Sequence, residues 1–160
     1  MNRRKFLGSA VMAGAALPFT GCSRLMDWKG GSMSIDNIRL LDEAELIVDA
    51  GATLGEGPIW DEANRVLYWL DIQSSELHEF DPATGEDRFW NLGQQIGTVV
   101  PCQSGGVMLA LHEGFAHFDT DTEKLTLINN PEAHLLTTRF NDGKCDPAGR
   151  FWAGTLSMEN

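Results

Sequence analysis

A unit of about 42 residues recurs along this chain, and a period of that size dictates the fold class before any single residue is considered. Three segments align: Trp60-Asp-Glu-Ala-Asn-Arg-Val-Leu-Tyr-Trp69, Cys102-Gln-Ser-Gly-Gly-Val-Met-Leu-Ala-Leu111 and Cys145-Asp-Pro-Ala-Gly-Arg-Phe-Trp-Ala-Gly154. Each is a tight polar turn followed by a short apolar run, which is a hairpin signal. A second pair, Phe80-Asp-Pro-Ala-Thr-Gly85 and Phe118-Asp-Thr-Asp-Thr-Glu123, turns the chain after a short strand. The first unit reads as strands near 57–60, 65–72, 77–81 and 87–92, the second as strands near 98–102, 106–111, 115–119 and 125–129. Four short strands per unit is the pattern of a β-propeller blade. No segment after the N-terminus shows helical periodicity, so the expected class is all-β. Leu46-Ile-Val-Asp-Ala-Gly51 stands before the first unit as Phe89-Trp-Asn-Leu-Gly93 stands before the second, the position of an outer strand that closes a ring. The expectation is an incomplete ring: that closing strand, two blades and half of a third.

Composition narrows the partners. The 160 residues carry 12 Lys+Arg and 23 Asp+Glu, a net charge of −11. Residues 1–33 hold five of the basic residues (Arg3, Arg4, Lys5, Arg24, Lys29) and one acid, Asp27, which leaves −15 on the rest. Phosphate backbones repel such a body, so nucleic acid is excluded as a partner. A small neutral or cationic ligand or a metal suits it.

The N-terminus reads as an address. Asn2-Arg-Arg-Lys-Phe-Leu-Gly8 resembles a twin-arginine export signal, with Arg3 and Arg4 as the pair. The apolar stretch from Leu7 to Phe19 is about 13 residues, short of the roughly 20 that span a bilayer, and suits a signal peptide. It ends in Leu17-Pro-Phe-Thr-Gly-Cys22, which looks like a lipobox with Cys22 as the lipidated residue, although Phe19 stands where Leu is usual. The competing readings are a plain cleaved signal and translation from Met33. The organisation expected is a signal over 1–22, a tether and lead-in over 23–44, and a propeller body over 45–160. Its location would be the periplasm or cell envelope, reached through the twin-arginine machinery, with the lipid as the sole membrane attachment.

Leu54-Gly-Glu-Gly-Pro58 with Trp60-Asp61, and Arg139-Phe-Asn-Asp-Gly-Lys-Cys-Asp-Pro-Ala-Gly-Arg-Phe-Trp-Ala-Gly-Thr155, resemble the regucalcin/gluconolactonase family, from about Glu45 to Asn160. The resemblance implies a six-bladed propeller with one divalent metal in its channel, and for many members hydrolysis of a sugar lactone to an aldonic acid. It makes Glu56 the first metal ligand. A carboxylate oxygen suits Ca²⁺, Mg²⁺ or Mn²⁺, and Zn²⁺ also accepts one. The family's other ligands, an Asn and an Asp, would fall beyond Asn160, as would any general base, so the chain by itself is expected to hold an incomplete site. Arg139 and Asn141 share one face of a strand, and the resemblance makes them substrate-binding. Glu159 matches a substrate-binding acid, although Leu156-Ser-Met-Glu-Asn160 departs from the family pattern. A non-catalytic propeller that binds calcium or a sugar, and an esterase for another cyclic ester, are the competing readings.

The remaining chemistry-bearing residues read as structural. Asp142-Gly143 and Asp146-Pro-Ala-Gly149 read as turns. His78, His112, His117 and His134 lack metal-ligand spacing. Cys102 and Cys145 fill equivalent places in successive units, and because blades fan apart they read as two buried thiols rather than a disulfide.

Overall fold

The computed structural model describes residues 44–159. The export signal with Arg3, Arg4 and Cys22, and the tether through residue 43, lie outside the described residues, as does Asn160. Every regular element described is a strand: β1 (Gly55–Asp61), β2 (Val66–Asp71), β3 (Glu76–Asp81), β4 (Glu86–Asn91), β5 (Ile96–Pro101), β6 (Val107–Leu111), β7 (Gly114–Asp119), β8 (Lys124–Asn129), β9 (Thr138–Cys145) and β10 (Phe151–Ser157). They form two four-stranded sheets, β1-β2-β3-β4 and β5-β6-β7-β8, and a two-stranded sheet of β9 and β10. All neighbours are antiparallel. The first strands of successive sheets adjoin, β1 beside β5 and β5 beside β9.

The period in the sequence is a period of turns. Asp61, Asp71, Asp81 and Asp119 each end a strand, and each carboxylate accepts backbone N–H groups two or three residues on, as Asp81 does from Ala83 at 2.8 Å and Asp119 from Thr122 at 2.8 Å. Four residues after each Asp the chain enters the left-handed region, at Arg65 (φ 58), Ser75 (φ 61), Gly85 (φ 76) and Glu123 (φ 57). The Asp side chain stands in for the backbone partners that so tight a reversal leaves unpaired, which lets non-glycine residues take the strained position.

The core lies between the two four-stranded sheets. Tyr68 and Leu70 of β2 and Leu77 of β3 pack with Ile96 and Val99 of β5, Val107, Leu109 and Leu111 of β6 and Phe118 of β7. Burying each aliphatic side chain contributes roughly 1.5–3 kcal/mol. Trp90 of β4 clasps the second sheet: its ring meets Phe118 edge-on at 5.4 Å, and its Nε1 donates to Glu123 Oε1 at 3.2 Å. Within the first sheet His78 is buried between Trp69 and Phe89, with Nδ1 2.8 Å from Asp87 Oδ2. That histidine is a packing residue, as its sequence context suggests.

Leu46–Gly51, whose ladder partners are expected beyond Asn160, pairs with no described segment, and Leu46 and Ile47 are 76% and 62% exposed. Two expectations are corrected. Asp142 and Gly143 are not turn residues but lie inside β9. The two thiols are free but not buried, since Cys102 is half-buried and Cys145 exposed. Both sit at the far ends of first strands, outside the packed layer between the sheets.

Candidate active site

Each first strand carries a β-bulge, and the three bulges face one cleft. In β1, Glu56 pairs with Leu70 and Ile59 with Tyr68, so one extra residue is accommodated there, where Gly57 takes φ 61. In β5, Ile96 pairs with Leu111 but Thr98 with Ala110, which leaves Gly97 extra. In β9, Phe140 pairs with Thr155 and Gly143 with Ala153, which places the extra residue at Asn141–Asp142. A bulge bends its strand and re-aims a side chain. The cleft, about 200 Å³, is lined by Glu56, Gly57 and Gly97, by Arg139, Asn141 and Asp142, and by Leu54 and Ile72 at its wall.

Asp71 positions the Glu56 arm. Its carboxylate accepts from Thr53 N at 2.7 Å, Leu54 N at 3.0 Å and Ser74 Oγ at 2.8 Å, and Ile72 N donates to Leu54 O at 3.1 Å. These bonds fix the chain entering Gly55-Glu56-Gly57. Burial by itself would raise the Asp71 carboxyl. The donors at Thr53, Ser74 and Leu54 outweigh it and hold the group down to about 2. On the opposite side, Arg139 Nη1 donates to Phe140 O at 2.9 Å and lies 3.5 Å from Asn141 Oδ1. Among the described residues the other guanidinium nitrogens have no hydrogen-bond partner, which leaves them for a ligand.

Glu56 of β1 thus meets Arg139 and Asn141 of β9, far from it in sequence, at one cleft. Glu159 does not join them: it is exposed beyond β10, its N–H donates to Ser157 Oγ at 3.1 Å, and it lines neither this cleft nor the next. Arg139 also borders a second cleft of about 230 Å³ with His112, Glu132, Thr138 and Thr155. There Glu132 Oε1 accepts from Thr155 Oγ1 at 3.1 Å. Gly97, Asp142 and Glu132 escaped sequence reasoning. A glycine inside the apolar run Ile96–Val100 is the signal that marks Gly97 as a bulge.

The donors at the first cleft suit a hard divalent cation. Glu56 and Asp142 bring carboxylates and Asn141 an amide oxygen, with no sulfur or imidazole. Asp142 Oδ1 already accepts from Gly143 N at 2.7 Å, and no cluster of three His, Cys, Asp or Glu exists among the described residues. Glu56 is therefore the carboxylate best placed to hold such an ion, as one member of a larger set.

Four-stranded antiparallel sheets adjoining through their first strands, with a polar cleft at the bulges of those strands, define a β-propeller type of protein. The chain belongs to the SMP-30/gluconolactonase/LRE-like family, whose model matches residues 54–160. It is 40% identical over 117 residues to the protein named "Putative sugar lactone lactonase YvrE" of Bacillus subtilis, covering 73% of this chain and 40% of that one. It is 36% identical over 110 residues to 6-deoxy-6-sulfogluconolactonase of Pseudomonas putida, covering 69% and 38%. Among solved structures it resembles the calcium-binding protein regucalcin of Agrobacterium tumefaciens, with a TM-score of 0.63 and 33% identity over 66% of this chain and 36% of that one. The chain spans about 40% of the length of the relatives it matches.

Proposed function

We propose that this chain contributes the Glu56–Arg139–Asn141 part of the site of a metal-dependent sugar-lactone hydrolase, gluconolactonase-like, built on a six-bladed ring. The observation that supports this reading is the convergence of those side chains, from β1 and β9, on one bulge-lined cleft. A divalent cation bound there, whether Ca²⁺, Zn²⁺, Mg²⁺ or Mn²⁺, supplies a Lewis acid for the lactone carbonyl and makes water a better nucleophile. Glu56 would hold it. Arg139 grips the ring hydroxyls or the carbonyl oxygen with its free N–H groups. Asn141 fixes the face presented, through an amide that both donates and accepts. Water adds to the acyl carbon, the acyl–oxygen bond of the ring breaks, the ring oxygen takes a proton, and an aldonic acid leaves. Glu159 joins the substrate only if residues beyond β10 carry it to the cleft. Glucono-1,5-lactone hydrolysis with and without chelator tests the reading: loss on chelation and recovery on metal add-back support it. Metal uptake with no turnover of any lactone favours the binding propeller instead, a reading supported by the calcium-binding description of the regucalcin relative.

We also propose export through the twin-arginine route, with Cys22 lipidated and the body held at the periplasmic face of an envelope membrane. The support is the motif at Arg3-Arg4 and the run ending at Cys22. Arg3→Lys/Arg4→Lys is expected to leave the precursor in the cytoplasm, and Cys22→Ser to release the protein from membranes. Unchanged localisation of either variant contradicts the corresponding step.

A further inference from the structure

We infer that Cys102 and Cys145 form a dithiol pair between adjoining sheets that thiol–disulfide exchange closes into a cross-link. The argument starts from how closely β5 and β9 lie. A Cβ on Gly97 would sit 2.6 Å from the Phe140 carbonyl carbon and 2.7 Å from Asn141 N. One step along, Thr98 Oγ1 donates to Gly143 O at 3.1 Å, and a Cβ on Gly143 would sit 2.9 Å from the Thr98 methyl. Position 98 therefore faces β9, and position 143 lies against Thr98 of β5 as well as the Trp152 carbonyl of β10. Side chains alternate along a strand, so the row through Thr98 continues to Val100 and, just past the end of β5, Cys102 beside it in the same groove, and the row through Gly143 continues to Cys145. The two rows face each other. Both cysteines line one groove at the far ends of these strands, with Val100, Met108 and Phe151 beside them.

The two sulfurs differ in access, which orders the chemistry. Cys145 is exposed and Cys102 half-buried. Burial pushes the Cys102 thiol up, and a neighbouring Cys145 charge adds to that. A small-molecule disulfide therefore meets Cys145 first. The Cys145 thiolate attacks one of its sulfurs, expels one thiolate and leaves a mixed disulfide. Cys102, its proton passing to solvent, then attacks the Cys145 sulfur and expels the second thiolate. Two protein thiols are oxidised, one small disulfide is reduced to two thiols, and a Cys102–Cys145 bond forms. The cross-link ties the ends of two first strands whose bulges border the cleft.

The test uses a Cys22→Ser protein, which retains only this pair, with glutathione disulfide as the oxidant. The expected product has lost both free thiols, carries no glutathione, is two hydrogens lighter, and yields tryptic peptides 89–124 and 145–150 as one linked species. Dithiothreitol restores both thiols. A protein that also carries Cys102→Ser is expected to keep one glutathione on Cys145, because nothing expels it. Two glutathiones per chain, disulfide-linked dimers, or no reaction at Cys145 each overturn the inference.

Discussion

Thr98 of β5 donates a 3.1 Å hydrogen bond from its hydroxyl to the carbonyl oxygen of Gly143 in β9, and so joins strands of two different sheets. Few sheets allow such an approach. Here Gly97 and Gly143 remove the side chains that would hold the strands apart. Gly97→Ala is expected to destabilise by about 1–3 kcal/mol, the usual range for overpacking. Its methyl would press on Phe140 backbone, which cannot swing aside as a side chain can. Thr98→Val should cost about 1 kcal/mol, the worth of one hydrogen bond. Urea titrations compare the two; a neutral Gly97→Ala would mean that the strands have room to spare.

Acid sensitivity should centre on Asp71. Its folded carboxyl is held down to about 2, below the ordinary value near 3.9 for an unfolded chain. The stabilisation is present in full above about pH 4 and is lost as pH falls towards 2, because the unfolded state binds the proton first. Asp71→Ala, which strands the N–H groups of Thr53 and Leu54, should cost about 2 kcal/mol and flatten the stability profile in that window. Thermal melts from pH 2 to pH 6 give the slope. An unchanged slope in the variant would show that another carboxylate governs acid unfolding.

Association is expected from what the sheets leave uncovered. Leu127 and Ile128 of β8 are each 56% exposed, Trp152 of β10 is 63% exposed, and β10 has a partner on one side only among the described residues. Unpaired edges and adjoining apolar surface recruit other chains. Sedimentation should show self-association of this chain that Ile128→Lys weakens. A monomer at every concentration would contradict the expectation.

Turns and strands were legible because their causes are local. An aspartate that opens each reversal, and a left-handed residue four positions later, punctuate the chain at 61, 71, 81 and 119. Of the three bulges, the one at Gly97 has a signal in sequence, a glycine inside an apolar run; those in β1 and β9 are mismatches between two strands that only the pairing reveals. That is why Asp142 reads as a turn residue in sequence and lies in β9 in the structure. The cleft itself was half legible. Glu56, Arg139 and Asn141 stood out through their motifs, whereas Glu132, from the segment after β8, carries no motif at all. Cys102 and Cys145 were visible as equivalent positions, but their facing rows depend on the close approach of β5 and β9.

The two sides of the cleft should separate kinetically in the complete gene product. Arg139→Ala removes donors to the substrate and leaves Glu56 untouched. It should raise KM for a sugar lactone at least tenfold, with bound metal unchanged. If Arg139→Ala instead strips the metal, the guanidinium acts through the metal-holding residues rather than on the sugar.

The most direct measurement follows Glu56. Metal content by elemental analysis and glucono-1,5-lactone hydrolysis are to be read on the same preparations of wild type and Glu56→Gln, before chelation and after add-back. A carboxylate that holds the metal predicts that Glu56→Gln loses metal and at least a hundredfold in rate together, about 2.7 kcal/mol of transition-state stabilisation. Equal rates with equal metal content in the two proteins would contradict it.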